Sequence, residues 1–377
     1  MVMRLACLLC VMLVAPVTAA ALSISADETR VQYGKPVWLT IESVQRDVPL
    51  QSLDFSRWRD EVAVLSEREV QTDAAGVQRW RVRLYPRREG RIELPGLLLA
   101  GARSAALALD AVQPVDAKTG TAIGIDCNTS TFMPYQQQQV LVACAVQLQD
   151  EHVLFDYPRH ALAGAQLLPM QVTRAPAMLH QAGWVVIPQR SGSVEYDLPP
   201  LQLVRDGVIT HRFYLPRMRL EVQPLPVYLP GTIPVGRVQV TRYALAGALL
   251  RPATLSNLQL HVTVSGVPDE AVPDYAQGVR SDATLQTYTA KTRHVRRVDT
   301  RGIQHEIEYT IPVTPRRQGW YALPALRLQF FDPHSGTLQS LQVPGPRVLI
   351  LGFWARLLVL ALALALLLLG GRYLYRV

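Results

Sequence analysis

The sequence has no Gly-x-Ser-x-Gly elbow, no Gly-x4-Gly-Lys phosphate loop, no His-Glu-x-x-His and no Gly-x-Gly-x-x-Gly. Readings as a hydrolase, a nucleotidase, a zinc protease or a dinucleotide enzyme therefore lack the local patterns such chemistry uses, and no catalytic, cofactor-binding or metal-binding residue is assigned. His305-Glu306 starts like a zinc motif, but Tyr309 stands where the second histidine belongs. Charge of one sign is also short. The net charge is +8, and setting aside Arg4, Arg356, Arg372 and Arg376, which serve targeting and anchoring, leaves +4 on the exported part. So small a surplus, spread widely, argues against nucleic acid as a partner. Helical periodicity is missing between the two ends; only Leu53 to Glu61 reads as a short helical turn. Cysteine is scarce. Cys7 and Cys10 lie in an apolar leader, which leaves Cys127 and Cys144 as either a disulfide or two buried thiols.

What the chain does have is one short element written three times: Pro86-Arg87-Arg88-Glu89-Gly90, Pro188-Gln189-Arg190-Ser191-Gly192 and Pro315-Arg316-Arg317-Gln318-Gly319. Each Pro-x-Arg-x-Gly follows a strand-like run and leads to a second one ending at Leu94-Pro95, Leu198-Pro199 or Leu323-Pro324. Proline suits a strand end that needs no N–H, and glycine takes the positive φ other residues avoid. The first two copies are 102 residues apart, and Tyr135 follows Tyr33 at the same offset. The spacing implies similar domains in series.

Period-two alternation marks the strands. Val37, Leu39 and Ile41 alternate with Trp38 and Thr40, and Trp80, Val82 and Leu84 with Arg81 and Arg83. Further strands are expected over Val140 to Val146, Gly183 to Ile187, Leu258 to Val264, Ile303 to Val313 and Leu326 to Phe331. Short strands without long helices predict an all-β fold of tandem immunoglobulin-like antiparallel β-sandwiches. They are expected at 22–113, 122–223 and 232–347, joined by a linker over Pro114 to Thr121 and a stiff one holding Pro224, Pro226, Pro230 and Pro234.

The two ends read as targeting and anchoring. Residues 1–21 have the charged start, apolar run and small-residue tract of a secretory signal peptide. Residues 353–371 are almost wholly apolar, long enough for a single transmembrane helix, with Arg356 snorkelling outward and a short cytoplasmic tail over 372–377. The expected location is the inner membrane, with the bulk of the chain in the periplasm.

Two charged clusters stand out. Asp269, Glu270 and Asp274 share a loop without the dense oxygen pattern of a calcium site, so they read as solvated acids. Lys291, Arg293, His294, Arg296, Arg297 and Arg301 form the densest basic stretch. Within it Lys291, Arg293, Arg296 and Arg297 read either as a solvated strand face or as a contact for anionic headgroups or an acidic partner.

The third region carries a resemblance. Glu308-Tyr309-Thr310-Ile311-Pro312, Pro315 to Gly319, Tyr321-Ala322-Leu323-Pro324 and above all Phe330-Phe331-Asp332-Pro333 to Gly336 resemble the BatD, or oxygen tolerance, family of bacterial aerotolerance operons. Gly236 and Val264-Ser265-Gly266 fit the same spacing. The resemblance implies a non-enzymatic, periplasm-facing scaffold in aerotolerance or envelope stress response, without cofactors. It also implies partners: membrane proteins with von Willebrand factor type A domains and, indirectly, a MoxR-type AAA+ ATPase. Many relatives continue into a cytoplasmic region, whereas this sequence stops at Val377, so contact with a cytoplasmic ATPase would run through another subunit. The alternative expectation is a periplasmic chaperone-like or ligand-binding module whose sheet edge accepts extended segments.

Overall fold

Alternation decides the secondary structure. Along Val37–Ser43 the residues are buried and half-buried in strict turn, because successive side chains of a strand point to opposite faces. The computed structural model describes residues 22–45, 47–66, 70–148, 154–156, 161–171, 173–175, 179–245, 249–250, 255–279, 285–316, 318–323 and 325–374. The expected signal peptide, Arg317, Pro324 and the tail's Tyr375 and Arg376 lie outside the described residues.

The same five-stranded antiparallel sheet is built three times. In the first, the order is Leu22–Ala26, Val37–Ser43, Gln78–Pro86, Val62–Ser66, with Gln71–Thr72 also on the central Gln78–Pro86 strand. In the second it is Gly124–Thr129, Val140–Gln147, Leu179–Pro188, Ala165–Pro169, with Thr173–Ala175 on the central strand. In the third it is Arg237–Leu245, Ser256–Ser265, Gly302–Pro315, Leu285–Thr287, with Lys291–Asp299 on the central strand. The chain is thus all-β for most of its length. The short helical turn expected near Leu53 to Glu61 is two 3-10 turns, Leu50–Ser52 and Ser56–Trp58.

The repeated turn ends each central strand. Pro86, Pro188 and Pro315 are their last residues. Gly90, Gly192 and Gly319 open the next strand at φ of 97°, 107° and 131°, where a Cβ is disfavoured. The two flanking strands do not pair with each other. In the first and third copies the turn carries the chain from the five-stranded sheet into a separate three-stranded one. In the first two copies it is also tied down in the same way. Arg87 N–H donates to Glu61 O at 2.9 Å and Gln189 N–H to Gly164 O at 2.8 Å, each acceptor lying just before the edge strand.

In the first copy the opposing sheet is Arg30–Gln32, Leu107–Val112 and Gly90–Leu94, its first pair parallel. Leu39, Ile41, Val82 and Leu84 from one sheet and Ile92, Leu94, Leu109 and Ala111 from the other meet in one core around Trp58. Burying each such aliphatic side chain contributes about 1.5–3 kcal/mol.

Packing divides the chain into two units, one of residues 1–115 with 209–216 and one of residues 116–208 with 217–377. In the first, the late segment Ile209–Pro216 packs on the turn near Tyr33: Tyr33 Oη donates to Tyr214 O at 3.1 Å and Lys35 Nζ to Thr210 O at 2.6 Å. In the second, the expected linker is pinned. Asp116 accepts both ends of the Arg205 guanidinium, with only 3% of its side chain and 12% of the arginine's exposed, and takes backbone N–H bonds from Lys118 and Thr119. That cradle holds the Asp116 carboxyl well below the usual carboxylate range, with the arginine as the main cause.

The chain ends in an α-helix, Phe353–Leu374. Its side chains are described as far as Leu368, and Leu358, Leu360, Leu362, Leu364 and Leu366 to Leu368 are each at least 60% exposed. No helix among the described residues is long and apolar enough to cross a membrane.

Candidate functional site

A groove of about 690 Å³ lies within the second unit, between its two five-stranded sheets. Ser130, Thr131 and Met133 line one side, and Arg237, Gln239 and Gln304 the other. Its floor shows what joins the two sheets. Gln139 Oε1 accepts from Ile303 N at 2.9 Å, and its amide occupies the space a Cβ on Gly302 would need and would press at 3.3 Å on one at Gly266. Both glycines have positive φ, 91° and 82°. The Val264-Ser265-Gly266 stretch singled out in the sequence is therefore a seat for Gln139.

The Phe-Asp-Pro-x-x-Gly block has a similar role. It is the turn between Leu326–Asp332 and Thr337–Val343. Gly336 N donates to Asp332 O at 2.9 Å, and Asp332 Oδ1 accepts from His334 N at 3.0 Å. Phe331, wholly buried, packs edge-on against Tyr135 at 5.0 Å between ring centroids, with Ile233 and Val235 around it. Phe331 also bonds Pro234 O and Gly236 N through its backbone, both at 2.9 Å. The most specific block of the resemblance is a joint between strands. A second apolar contact reinforces it, where Met170, Val185 and Ile187 meet Val298 and Ile303.

Cys127 and Cys144 face each other across neighbouring strands and form a disulfide, with Cα atoms 4.0 Å apart. The basic stretch is the strand Lys291–Asp299. It is exposed, and the adjoining segments bring acids to it. Arg293 stands opposite Glu308 with their charges 3.9 Å apart, Arg297 lies 3.8 Å from Glu306, and Arg296 bonds Asp269 at 2.6 Å. Exposed pairs of this kind contribute about 0–1 kcal/mol each. Lys291 has no such partner among the described residues. Asp274 caps the 3-10 turn Tyr275–Gly278 by accepting from Ala276 N.

Sequence reasoning missed a histidine pair. His305 is fully buried, and its Nε2 faces the Val267 carbonyl at 2.7 Å. A carbonyl only accepts, so that nitrogen carries the hydrogen and Nδ1 accepts from His294 Nε2 at 2.8 Å. Burial pushes the His305 imidazole down, opposed by the Val267 bond and Asp269. Both ring nitrogens of His305 are engaged, and no group of three or more ligating side chains among the described residues is placed to hold a metal. The local signal was that His305 falls two residues from each of Ile303 and Ile307, on the face they share.

These features define a multi-sheet all-β protein whose distinctive residues serve joints between sheets. Among solved structures the chain is similar to the adhesin InvE of Yersinia pseudotuberculosis, at 15% identity over 59% of this chain and 58% of that one, with a TM-score of 0.17. It is also similar to InvD of the same organism, at 9% identity over 86% and 96%, with a TM-score of 0.19. The chain thus spans somewhat under two thirds of the InvE structure. No protein-family model matches the chain, and no curated protein does.

Proposed function

We propose that this protein is a non-enzymatic scaffold of the cell envelope, anchored in the inner membrane with its bulk in the periplasm. In this reading the three sheet assemblies are immunoglobulin-like sandwiches, 22–113, 122–223 and 232–347. A membrane helix over 353–371 and a short tail over 372–377 complete it. The observation that carries the reading is the terminal helix, whose leucines are exposed on every side instead of packed on a sheet. Apolar surface of that extent is stable in lipid or against another apolar helix. The resemblance to the BatD family supports an aerotolerance or envelope-stress system, with von Willebrand type A membrane proteins as direct partners and a MoxR-type ATPase reached through them.

A second reading has its own observation. Leu22–Ala26, Gly124–Thr129 and Arg237–Leu245 are each paired on one side only within their five-stranded sheets, and an open edge can add an extended segment from a client protein. One experiment separates the two. The full chain and a version lacking residues 353–377 are purified from gently solubilised membranes, and what each retains is identified by mass spectrometry. The scaffold reading expects von Willebrand type A membrane proteins at constant ratio, lost on truncation. A mixture of unrelated envelope proteins, retained by both versions, would refute it in favour of the edge-binding one.

A further inference from the structure

The chain has six tryptophans, and their exposure divides them by position. Trp58, Trp80 and Trp184 are buried, and Trp38 is half-buried beneath Arg81 and Arg83. Trp320 and Trp354 are 74% and 79% exposed, and both lie where the last sheet meets the helix. Trp320 sits on the strand Gly319–Ala322 directly opposite Leu349 of the strand Arg347–Ile350. Two positions along, Ala322 faces Arg347, so Trp320 and the exposed Arg347 share one face of that sheet.

Only Leu351 and Gly352 separate this strand from the helix that starts at Phe353. Four residues of extended chain from Leu349 to Phe353 reach about 13 Å at most. The connection is also held in. Gly352 O accepts from Arg356 N at 3.1 Å, and the Gln318 amide of the third Pro-x-Arg-x-Gly turn occupies the space a Cβ on Gly352 would need. The sheet cannot swing far from the start of the helix.

We propose that the face carrying Trp320 and Arg347 lies on the outer leaflet, with the Trp320 ring seated among the headgroups and Arg347 against anionic lipid. The inference rests on the membrane-anchor reading and adds a second contact to it. The headgroup layer is about 5–7 Å thick on each side of the hydrocarbon, and an indole prefers that layer because its ring is apolar and its N–H needs a polar partner. A face tied within about 13 Å of the helix start stays close to that layer. An exposed tryptophan beside an arginine fits a lipid surface, which supplies both an apolar boundary and negative charge. The lipid contact would fix the tilt of the periplasmic assembly on the membrane, which a single helix leaves free.

The test uses the full chain reconstituted in phosphatidylethanolamine–phosphatidylglycerol vesicles containing lipids brominated near the top of the acyl chains, which quench nearby indoles. Wild type, W320F and W354F are compared, with circular dichroism confirming that each is folded. Both substitutions are expected to lower the lipid-quenchable emission, each by about half, because only these two indoles reach the interface. If W354F lowers it and W320F does not, the helix is in the bilayer but the Trp320 face is elsewhere, and the inference fails while the anchor stands. It fails equally if lipid leaves Trp320 unquenched and only a membrane protein partner shields it from aqueous acrylamide. If neither substitution changes the quenching, the anchor reading itself falls and takes the inference with it.

Discussion

One row of the sheet can be compared across its three copies, because each central strand ends on the proline of the repeated turn. Six residues before that proline stand Trp80, Ala182 and Tyr309. Register then gives the row: Ile24, Ile41 and Trp80 in the first sheet, Cys127, Cys144 and Ala182 in the second, Tyr243, Leu260 and Tyr309 in the third. In each the first residue is half-buried and the other two are buried. The first and third rows fill the space with large apolar side chains. The second fills it with a disulfide opposite an alanine, so a covalent link stands in for packing. The same position in the same fold is held by two different kinds of force.

Breaking the rows should show the difference. Trp80→Ala removes the largest side chain and leaves a cavity beside Phe55, for an expected loss of about 3–5 kcal/mol in the unfolding of the first unit, read by calorimetry. It should be indifferent to reductant. The second row should behave in the opposite way. Replacing Cys127 and Cys144 by alanine is expected to cost about 3 kcal/mol for a closed loop of this size, with a sequence separation of 17, and wild type treated with reductant should lose about as much. Denaturant titration with and without reductant checks this, and an unchanged midpoint would mean that packing alone holds the second row.

The third row adds a hydrogen bond to the packing. Tyr309 Oη accepts from Tyr275 N at 3.3 Å, within the apolar core. Tyr309→Phe keeps the volume and leaves that N–H without its acceptor, so about 0.5–1.5 kcal/mol should be lost, visible as faster amide exchange at Tyr275.

The smallest effect is a pH dependence confined to the third sheet, where His305 lies on the same central strand ahead of Tyr309. Its folded pKa is lowered, so the unfolded chain takes up the proton first on acidification. The stabilisation is present above about pH 6.5 and is lost as pH falls through the folded value. Protection of the amides in Ser256–Ser265, after division by the intrinsic exchange rate at each pH, should fall on acidification below that point, and His305→Gln should flatten the trend. Asp116 has the same sign at lower pH, since its depressed carboxyl stabilises the fold above the usual aspartate range and ceases to as that carboxylate is protonated.

Much of the strand plan was legible because it is local. Leu258 to Val264 and Ile303 to Val313 alternate strictly, and the observed strands Ser256–Ser265 and Gly302–Pro315 extend them by only one or two residues at either end. The role of the turn glycines was legible for the same reason. The joints were not. Tyr33 packs on Phe213 at 5.3 Å and Tyr135 on Phe331 at 5.0 Å, contacts between residues far apart in sequence with no shared period. A common offset from Tyr33 to Tyr135 showed that these tyrosines repeat, but not that each is held by a phenylalanine much later in the chain. Likewise the basic run was plain in the sequence, while the acids set against it come from the next strand and from the loop at Asp269.

By itself the sequence determined the all-β character, most of the strand positions and the thrice-repeated turn, because side-chain alternation and glycine's freedom at positive φ act within a few residues. Only the tertiary structure decided that Cys127 meets Cys144, that Gln139 fills the space left by Gly266 and Gly302, and that the Phe331 block is a joint. Those outcomes depend on which sheets face each other and in what register, and the energy that selects them comes from contacts the linear order of residues does not contain.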